Sequence, residues 1–314
     1  TNNMKVLITG GAGYLGSILT GLLLDNKYKV TVVDNLIYKQ LSLTDYCYNE
    51  DFTFIKGDIR NLNQLVNLKD YDVIIPLAAI VGMPACDRNK IAATQINYDQ
   101  IENLVKNTSK DQQLILPNTN SQYGSSAEVI TEESPFNPLS HYARTKCEAE
   151  SCLLSSDRSG VALRLATVFG LSPRMRLDLL VNDFVYRAVT DKLLVLFQSS
   201  FKRNYIHVRD IANTFLFVIE NYDKCVGEPF NVGLSSANLS KLELAERIKQ
   251  YIPELVIIEE EFTEDFDKRN YIVSNEKLES LGWHPTFTLD DGIEELIKGY
   301  QFITTFKDRD FTNL

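Results

Sequence analysis

Residues 9–16, Thr9-Gly10-Gly11-Ala12-Gly13-Tyr14-Leu15-Gly16, stand between an apolar strand pattern at Lys5–Thr9 and an amphipathic helix pattern at Leu15–Asp25. Glycines at such a junction allow a tight turn and let the backbone approach a pyrophosphate, whose charge is met by the helix N-terminus. A lone glycine motif carries little weight, but here a strand precedes it, a helix follows, and an acid closes the second strand pattern. That acid is Asp34, 18 residues beyond Gly16 in Val32-Val33-Asp34-Asn35-Leu36. A carboxylate there can accept hydrogen bonds from both ribose hydroxyls of adenosine and would repel a 2′-phosphate, so NAD is expected rather than NADP. Gly10, Gly13, Tyr14, Leu15, Gly16, Asp34 and Asn35 are the first candidate cofactor residues.

The rest of the first half keeps that rhythm. Strand patterns at Lys29–Val33, Thr53–Lys56, Val73–Leu77, Gln113–Pro117 and Val161–Leu165 alternate with helical patterns such as Ile91–Lys106 and Tyr142–Ser155. Uninterrupted apolar strands alternating with helices imply a parallel sheet covered on both faces. After about Gly170 the pattern changes: Arg174–Val189 reads as a loop entering a helix, followed by helices at Val208–Asn221, Lys241–Tyr251 and Leu289–Tyr300 and a strand at Pro229–Val232. The expected fold class is α/β, a doubly wound parallel sheet of Rossmann type with a smaller C-terminal substrate-binding lobe. Residues 1–170, rejoined by about 204–233, would form the NAD-binding domain, and 171–203 with 234–314 the lobe. Without repeats or Pro/Ser-rich linkers, that lobe should pack against the first.

At 314 residues and a net charge of −10, the chain repels phosphate backbones overall, which argues against a nucleic-acid partner. No apolar run approaches the roughly 18 residues of a membrane span. The opening residues Thr1–Lys5 show no signal peptide, so a cytoplasmic location is expected. Five scattered cysteines without a CxxC pair read as reduced thiols, and His141, His207 and His284 lack metal-ligand spacing, so no metal is expected.

Two further turns suit a dinucleotide: Gly57-Asp58-Ile59 after the third strand, at adenine, and Leu77-Ala78-Ala79 after the fourth, where small residues leave room. After the fifth strand comes Tyr142-Ala-Arg-Thr-Lys146. At i and i+4 the phenol and ammonium share one helical face, and a nearby ammonium stabilises phenolate, making Tyr142 a candidate general base. Together, Thr9–Gly16, Asp58, Ala78-Ala79, Asn97, Tyr123-Gly124 and Tyr142…Lys146 resemble the extended short-chain dehydrogenase/reductase family of sugar-nucleotide epimerases, dehydratases and dehydrogenases. Arg164…Gly170, Arg203…Asp210, Asn231-Val232-Gly233 and Gly282-Trp283…Pro285 carry the likeness across nearly the whole chain. The resemblance implies that Tyr142 removes a proton from a sugar hydroxyl, usually at C4, that Thr119 hydrogen-bonds that oxygen, and that Lys146 binds the nicotinamide ribose. It also places Asp58, Ile59, Leu77, Ala78, Ala79 and Asn97 around the cofactor, and implies a homo-oligomer, either a dimer built on the Ile91–Lys106 and Tyr142–Ser155 helices or a tetramer.

The departures from the family pattern are informative. Sugar-nucleotide 4,6-dehydratases carry Asp-Glu after this Thr, whereas Asn120 and Ser121 stand here, so dehydration is disfavoured and both are taken as substrate contacts. Pro76 replaces the His of the fourth-strand pattern and Thr167 the Asn of the RxxNVYG pattern, away from the common galactose epimerases. Arginines suit a diphosphate bidentately, and the candidates are Arg174, Arg176, Arg203 and Arg269, with Asn182 on sugar or phosphate. The stretches Pro117–Gly124 and Arg164–Asn182 resemble the GDP-manno-heptose 4-dehydrogenases of capsule polysaccharide biosynthesis. The expectation is therefore oxidation at C4 of a nucleotide-linked sugar, with C4 epimerisation, a non-catalytic NAD sensor and a non-nucleotide substrate as the alternatives. Retained Thr119, Tyr142 and Lys146 weigh against the sensor, and the arginines against a non-nucleotide substrate.

Overall fold

The computed structural model describes residues 3–80, 88–261 and 270–303. Seven parallel strands form the central sheet: β1 (Lys5–Thr9), β2 (Lys29–Asp34), β3 (Phe52–Lys56), β4 (Val73–Pro76), β5 (Gln113–Thr119), β7 (Val161–Leu165) and β11 (Pro229–Val232). Their spatial order is β11-β7-β5-β4-β1-β2-β3. The winding reverses between β1 and β4, and a doubly wound sheet opens its ligand crevice at the carboxyl ends of its strands there. The register sets Thr9 beside Pro76 at that point. Pro76 lacks an N–H, but it is the last residue of β4, and Leu77 N resumes the bonding to Thr9 O at 2.9 Å.

Residue alternation along the strands feeds two cores. Val6 and Ile8 of β1 and Ile75 of β4 join one cluster with Ile18 and Leu19 of the helix Tyr14–Asp25 and Phe215 of the helix Val208–Glu220. Leu7 and Ile74 point the other way, against Ile101 of the helix Gln100–Asn107 and Leu153 of the helix His141–Leu154. A strand buried on both faces has no polar side, which is why these segments read as continuous apolar runs. The first cluster continues through Leu244, Ile248 and Leu296 of the helices Lys241–Tyr251 and Leu289–Ile303, so the C-terminal lobe shares its core with the sheet.

Among the described residues three small sheets lie around the main one: β8 (Thr167–Phe169), β10 (Lys202–His207) and β12 (Asn238–Ser240); β9 (Leu193–Phe197) with β13 (Val256–Glu260); and β6 (Val129–Ile130) with β14 (Ile272–Val273). The stretch read as one helix over Ile91–Lys106 is interrupted. Lys90–Thr94 and Gln100–Asn107 are α-helical, and a π-helical turn, Gln95–Asp99, lies between them. The helix after β10 is capped by His207, whose Nδ1 accepts from Arg209 N at 3.0 Å. Asp210 accepts from the N–H groups of Thr286 and Phe287 at 2.8 and 2.9 Å, tying that turn to the C-terminal segment.

Candidate active site

Gly10 has φ +71°, and a Cβ on it would lie 2.6 Å from Ala78 N. The turn therefore packs backbone to backbone against Leu77-Ala78 at the switch point. A Cβ on Gly16 would lie 2.5 Å from Gly11 Cα, which fixes how closely the helix seats on the turn. A Cβ on Gly13 would meet only Gly10 O, at 3.3 Å, and is otherwise in the open. Gly13 is also the N-cap of Tyr14–Asp25; no side chain caps that helix and no acid stands in its first turn. A bare N-terminus reached over open space at Gly13 fits a pyrophosphate on the amides of residues 13–16, Leu15 among them.

Asp34 is 7% exposed. It accepts from Leu36 N at 2.8 Å and from Ala12 N at 3.1 Å, so it stitches its own loop to the glycine turn and keeps a further lone pair on each oxygen. Burial pushes its carboxyl above the usual range, and the two amides pull it back in part. Asn35 beside it is exposed and accepts from Ile37 N at 3.1 Å. Asp58 caps the turn Ile59–Asn61 and pairs with Arg60 at 2.5 Å, which holds its carboxyl low. The Ile59 side chain enters the second core, leaving only its backbone to a ligand. The π turn has a purpose here: it aims buried Asn97 at the chain leaving β4, where its amide accepts from Ile80 N at 2.9 Å and donates to Ile80 O at 3.0 Å. Asn97 thus holds the wall formed by Leu77, Ala78 and Ala79.

Thr119 ends β5, opposite Leu165. Its hydroxyl accepts from Ser121 N at 3.1 Å and donates to Ser121 Oγ at 3.0 Å. The Asn120 side chain is 1% exposed, and neither amide atom has a hydrogen-bond partner among the described residues. Ser140 caps the helix His141–Leu154, accepting from Ala143 N at 3.1 Å, which fixes Tyr142 in the first turn. Thr145 Oγ1 donates to Tyr142 O at 2.8 Å. Tyr142 is half-buried, and Lys146, one turn on, is 7% exposed. Thr119, Tyr142 and Lys146 thus come from the end of one strand and the start of the helix covering it.

The substrate candidates divide. Arg203 is buried on β10, opposite Leu239 of β12. Arg269 lies outside the described residues. Arg174 is buried with its guanidinium 4.7 Å from the Tyr38 ring, against the loop that follows Asp34. Burial lowers its pKa, and so does neighbouring Arg176, itself paired with Asp178 at 2.6 Å. Asn182 requires a correction. It is fully buried, accepting from Gly170 N at 3.0 Å and donating to Arg176 O at 3.0 Å and to Tyr14 Oη at 3.3 Å, so its amide is a clamp between lobes and has no face for sugar or phosphate. The Tyr14 hydroxyl donates to Gly170 O at 2.6 Å, so its backbone is the part left to a cofactor. Ser172 completes this seam by donating to Tyr14 O at 2.7 Å.

Among the described residues no group of His, Cys, Asp and Glu could hold a metal, and no helix is long and apolar enough to cross a membrane. The model of the NAD dependent epimerase/dehydratase family matches residues 6–233, from the first strand to the end of the seven-stranded sheet. The chain belongs to that family. It is therefore an enzyme of an NAD-dependent family, and the glycine turn with Asp34 is where its residues fit NAD. The low-salt glycan biosynthesis protein Agl12 of Haloferax volcanii is 29% identical over 318 residues, covering 95% of this chain and 98% of that protein. The dTDP-glucose 4,6-dehydratase of Bacillus anthracis in complex with NAD superposes with TM-score 0.80 at 25% identity, covering 95% of this chain and 96% of that one. The UDP-glucuronic acid 4-epimerase of Bacillus cereus, in complex with UDP-glucuronic acid and NAD, gives TM-score 0.81 at 25% identity, covering 95% and 99%.

One buried feature is not legible in the sequence. Beneath the helix His141–Leu154 lies a buried polar cluster of Asn118, Glu150 and Arg164. Its one sequence signal was two charges, Lys146 and Glu150, four residues apart on a helix face that otherwise reads apolar.

Proposed function

We propose that this enzyme oxidises a nucleotide-linked sugar at C4 to a 4-keto sugar nucleotide, with GDP-manno-heptose as the first substrate to try. The observation that carries the reading is the set Thr119, Tyr142 and Lys146 at the carboxyl side of β5, with no ionisable group at Asn120 or Ser121. Tyr142 takes the proton from the C4 hydroxyl while Thr119 hydrogen-bonds the same oxygen, and Lys146 favours the phenolate by its charge and holds the nicotinamide ribose. NAD, when bound, supplies the acceptor for the hydride that leaves C4. The residues flanking Thr119 cannot exchange the further proton needed to expel a C6 hydroxyl as water, so the ketone is not carried on to a dehydrated product. Residues 171–203 and 234–314 make up the nucleotide-sugar lobe in this reading, with buried Arg203 as the diphosphate contact.

C4 epimerisation is the second reading, favoured by the likeness to the Bacillus cereus 4-epimerase, because the same three residues serve both reactions until the ketone is formed. Titration of the protein with GDP, UDP, CDP and dTDP tests what the two readings share. Saturable binding of at least one is expected, with Arg203→Ala weakening it and leaving NAD affinity unchanged. Binding of none would refute a nucleotide-sugar substrate.

A further inference from the structure

β9 and β13 run parallel, with Leu193 in register with Val256, Val195 with Ile258 and Phe197 with Glu260. Alternation sends Leu194 and Leu196 into the core, where the helices Leu180–Thr190 and Lys241–Tyr251 cover that side of the sheet. A second face that met water would be polar. Instead Leu193, Val195, Phe197, Val256 and Ile258 occupy it, each between 36% and 53% exposed, and Glu260 stands at one corner. These five are nearly a third of the sixteen large apolar side chains exposed among the described residues, gathered on two adjacent strands. Singly exposed apolar residues are ordinary on a protein surface, whereas a contiguous group marks a contact. Parallel sheets, moreover, occur almost only with both faces covered.

We propose that this face is a self-association surface, covered in solution by the same face of a second copy of the chain. With about 200 Å² for a fully exposed large apolar side chain, the five present roughly 400 Å². Two copies then bury about 800 Å² of apolar surface, close to the roughly 900 Å² that is the apolar share of a standard protein–protein interface. A two-fold contact requires a patch complementary to itself, and a sheet face that is apolar across both strands meets that requirement. The central pair, Val195 and Ile258, lies near the axis, which sets each corner Glu260 apart from its counterpart. Just before and after the strands, Asp191, Glu254 and Glu261 are exposed beside one cation, Lys192, so an anionic lipid surface is repelled. The face shares no element with the helices Ile91–Lys106 and Tyr142–Ser155, so it is independent of any contact made through them.

The test measures the mass of the full chain by sedimentation equilibrium, with NAD affinity as the check on folding. The native protein should have twice the mass of Val195→Lys and of Ile258→Lys, because a buried ammonium at the centre weakens association by at least about thirtyfold. NAD affinity should stay native in both. The flanking acids of two copies repel, so raising NaCl from about 0.05 to about 0.5 M should strengthen the association. Weaker association at high salt would put ion pairs at the contact and overturn the proposal. If the lysine variants do not fold, Val195→Thr/Ile258→Thr decides, since Thr suits a strand: a weakening of about tenfold is expected, and native association would overturn the proposal. A native protein that remains monomeric up to about 100 µM would overturn it too. So would folded lysine variants of native mass, which would place assembly on another face. A lowered melting temperature at unchanged mass would show the face to be covered within the chain itself, again overturning the proposal.

Discussion

Gly10 and Gly13 sit three residues apart in one turn, and the structure assigns them opposite sensitivities to a methyl group. At Gly10, alanine meets a left-handed φ of +71° and the Ala78 backbone at 2.6 and 2.7 Å. The conformation alone costs about 1–2 kcal/mol, and backbone atoms cannot rotate aside as a side chain would. A total of about 3 kcal/mol corresponds to a fall in melting temperature of roughly 5–10 °C. At Gly13 the backbone is extended, φ −81° and ψ −170°, which alanine adopts freely, and the nearest protein atom is 3.3 Å away. Gly13→Ala should therefore melt within about 1–2 °C of the native protein. Its methyl group, however, would stand at the helix N-terminus proposed above to hold the pyrophosphate. Loss of one charge-assisted hydrogen bond there costs about 1.5–3 kcal/mol, a roughly 10- to 150-fold weaker NAD complex. Differential scanning calorimetry and NAD titration on both variants separate the effects. Native NAD affinity in a well-folded Gly13→Ala would refute the placement of the pyrophosphate.

Other residues make similarly separable claims. Tyr142→Phe should lower turnover about 10²–10⁴-fold with NAD affinity nearly unchanged; near-native activity would remove Tyr142 as the base. Asp34→Ala should weaken NAD binding and relax discrimination against NADP, and equal native affinities for both cofactors in titration would contradict the assignment. Asn182→Ala strands three buried partners and should cost roughly 2–4 kcal/mol of stability, measured by urea unfolding, with KM for the nucleotide sugar unchanged; a raised KM at native stability would return Asn182 to the substrate site. For Glu295, burial raises the carboxyl pKa, but the bonds from His207 at 3.1 Å and Leu171 N at 2.7 Å outweigh it and hold the group low. Its stabilising contribution is thus present above the ordinary carboxylate range and is lost as pH falls through the lowered value. Glu295→Gln should flatten the acid side of the urea-midpoint profile, and an unchanged slope would show that the acid loss arises elsewhere.

Local chemistry made much of this legible in sequence. β1, β7 and β11 end where their apolar runs end, and the helix Lys241–Tyr251 begins at Ser240, whose side chain and Glu243 cap each other. The glycine turn and Asp34 were readable because strand, turn and helix each carry their own signal within 30 residues. What escaped depends on distant partners. The π turn at Gln95–Asp99 coincides with a bond between Asn97 and Ile80, 17 residues away, which no helical periodicity encodes. The position of Asn182 points to a ligand contact, but its bond to Tyr14 Oη, 168 residues away, makes its amide part of a seam with Gly170. Arg164 was legible only as part of a pattern, since its pairing with Glu150 requires β7 to lie under the helix.

The central claim is net oxidation at C4, and a single-turnover absorbance experiment addresses it most directly. Enzyme loaded with NAD is mixed with excess GDP-manno-heptose and followed at the NADH band, with the products analysed by mass. Both readings begin with proton loss to Tyr142, but an epimerase returns the hydride to the other face and a dehydrogenase releases the ketone. Net oxidation gives a rise in absorbance proportional to enzyme that persists, together with a 4-keto sugar nucleotide two mass units below the substrate. Flat absorbance with accumulation of the C4 epimer at unchanged mass would contradict it and leave the epimerase reading standing.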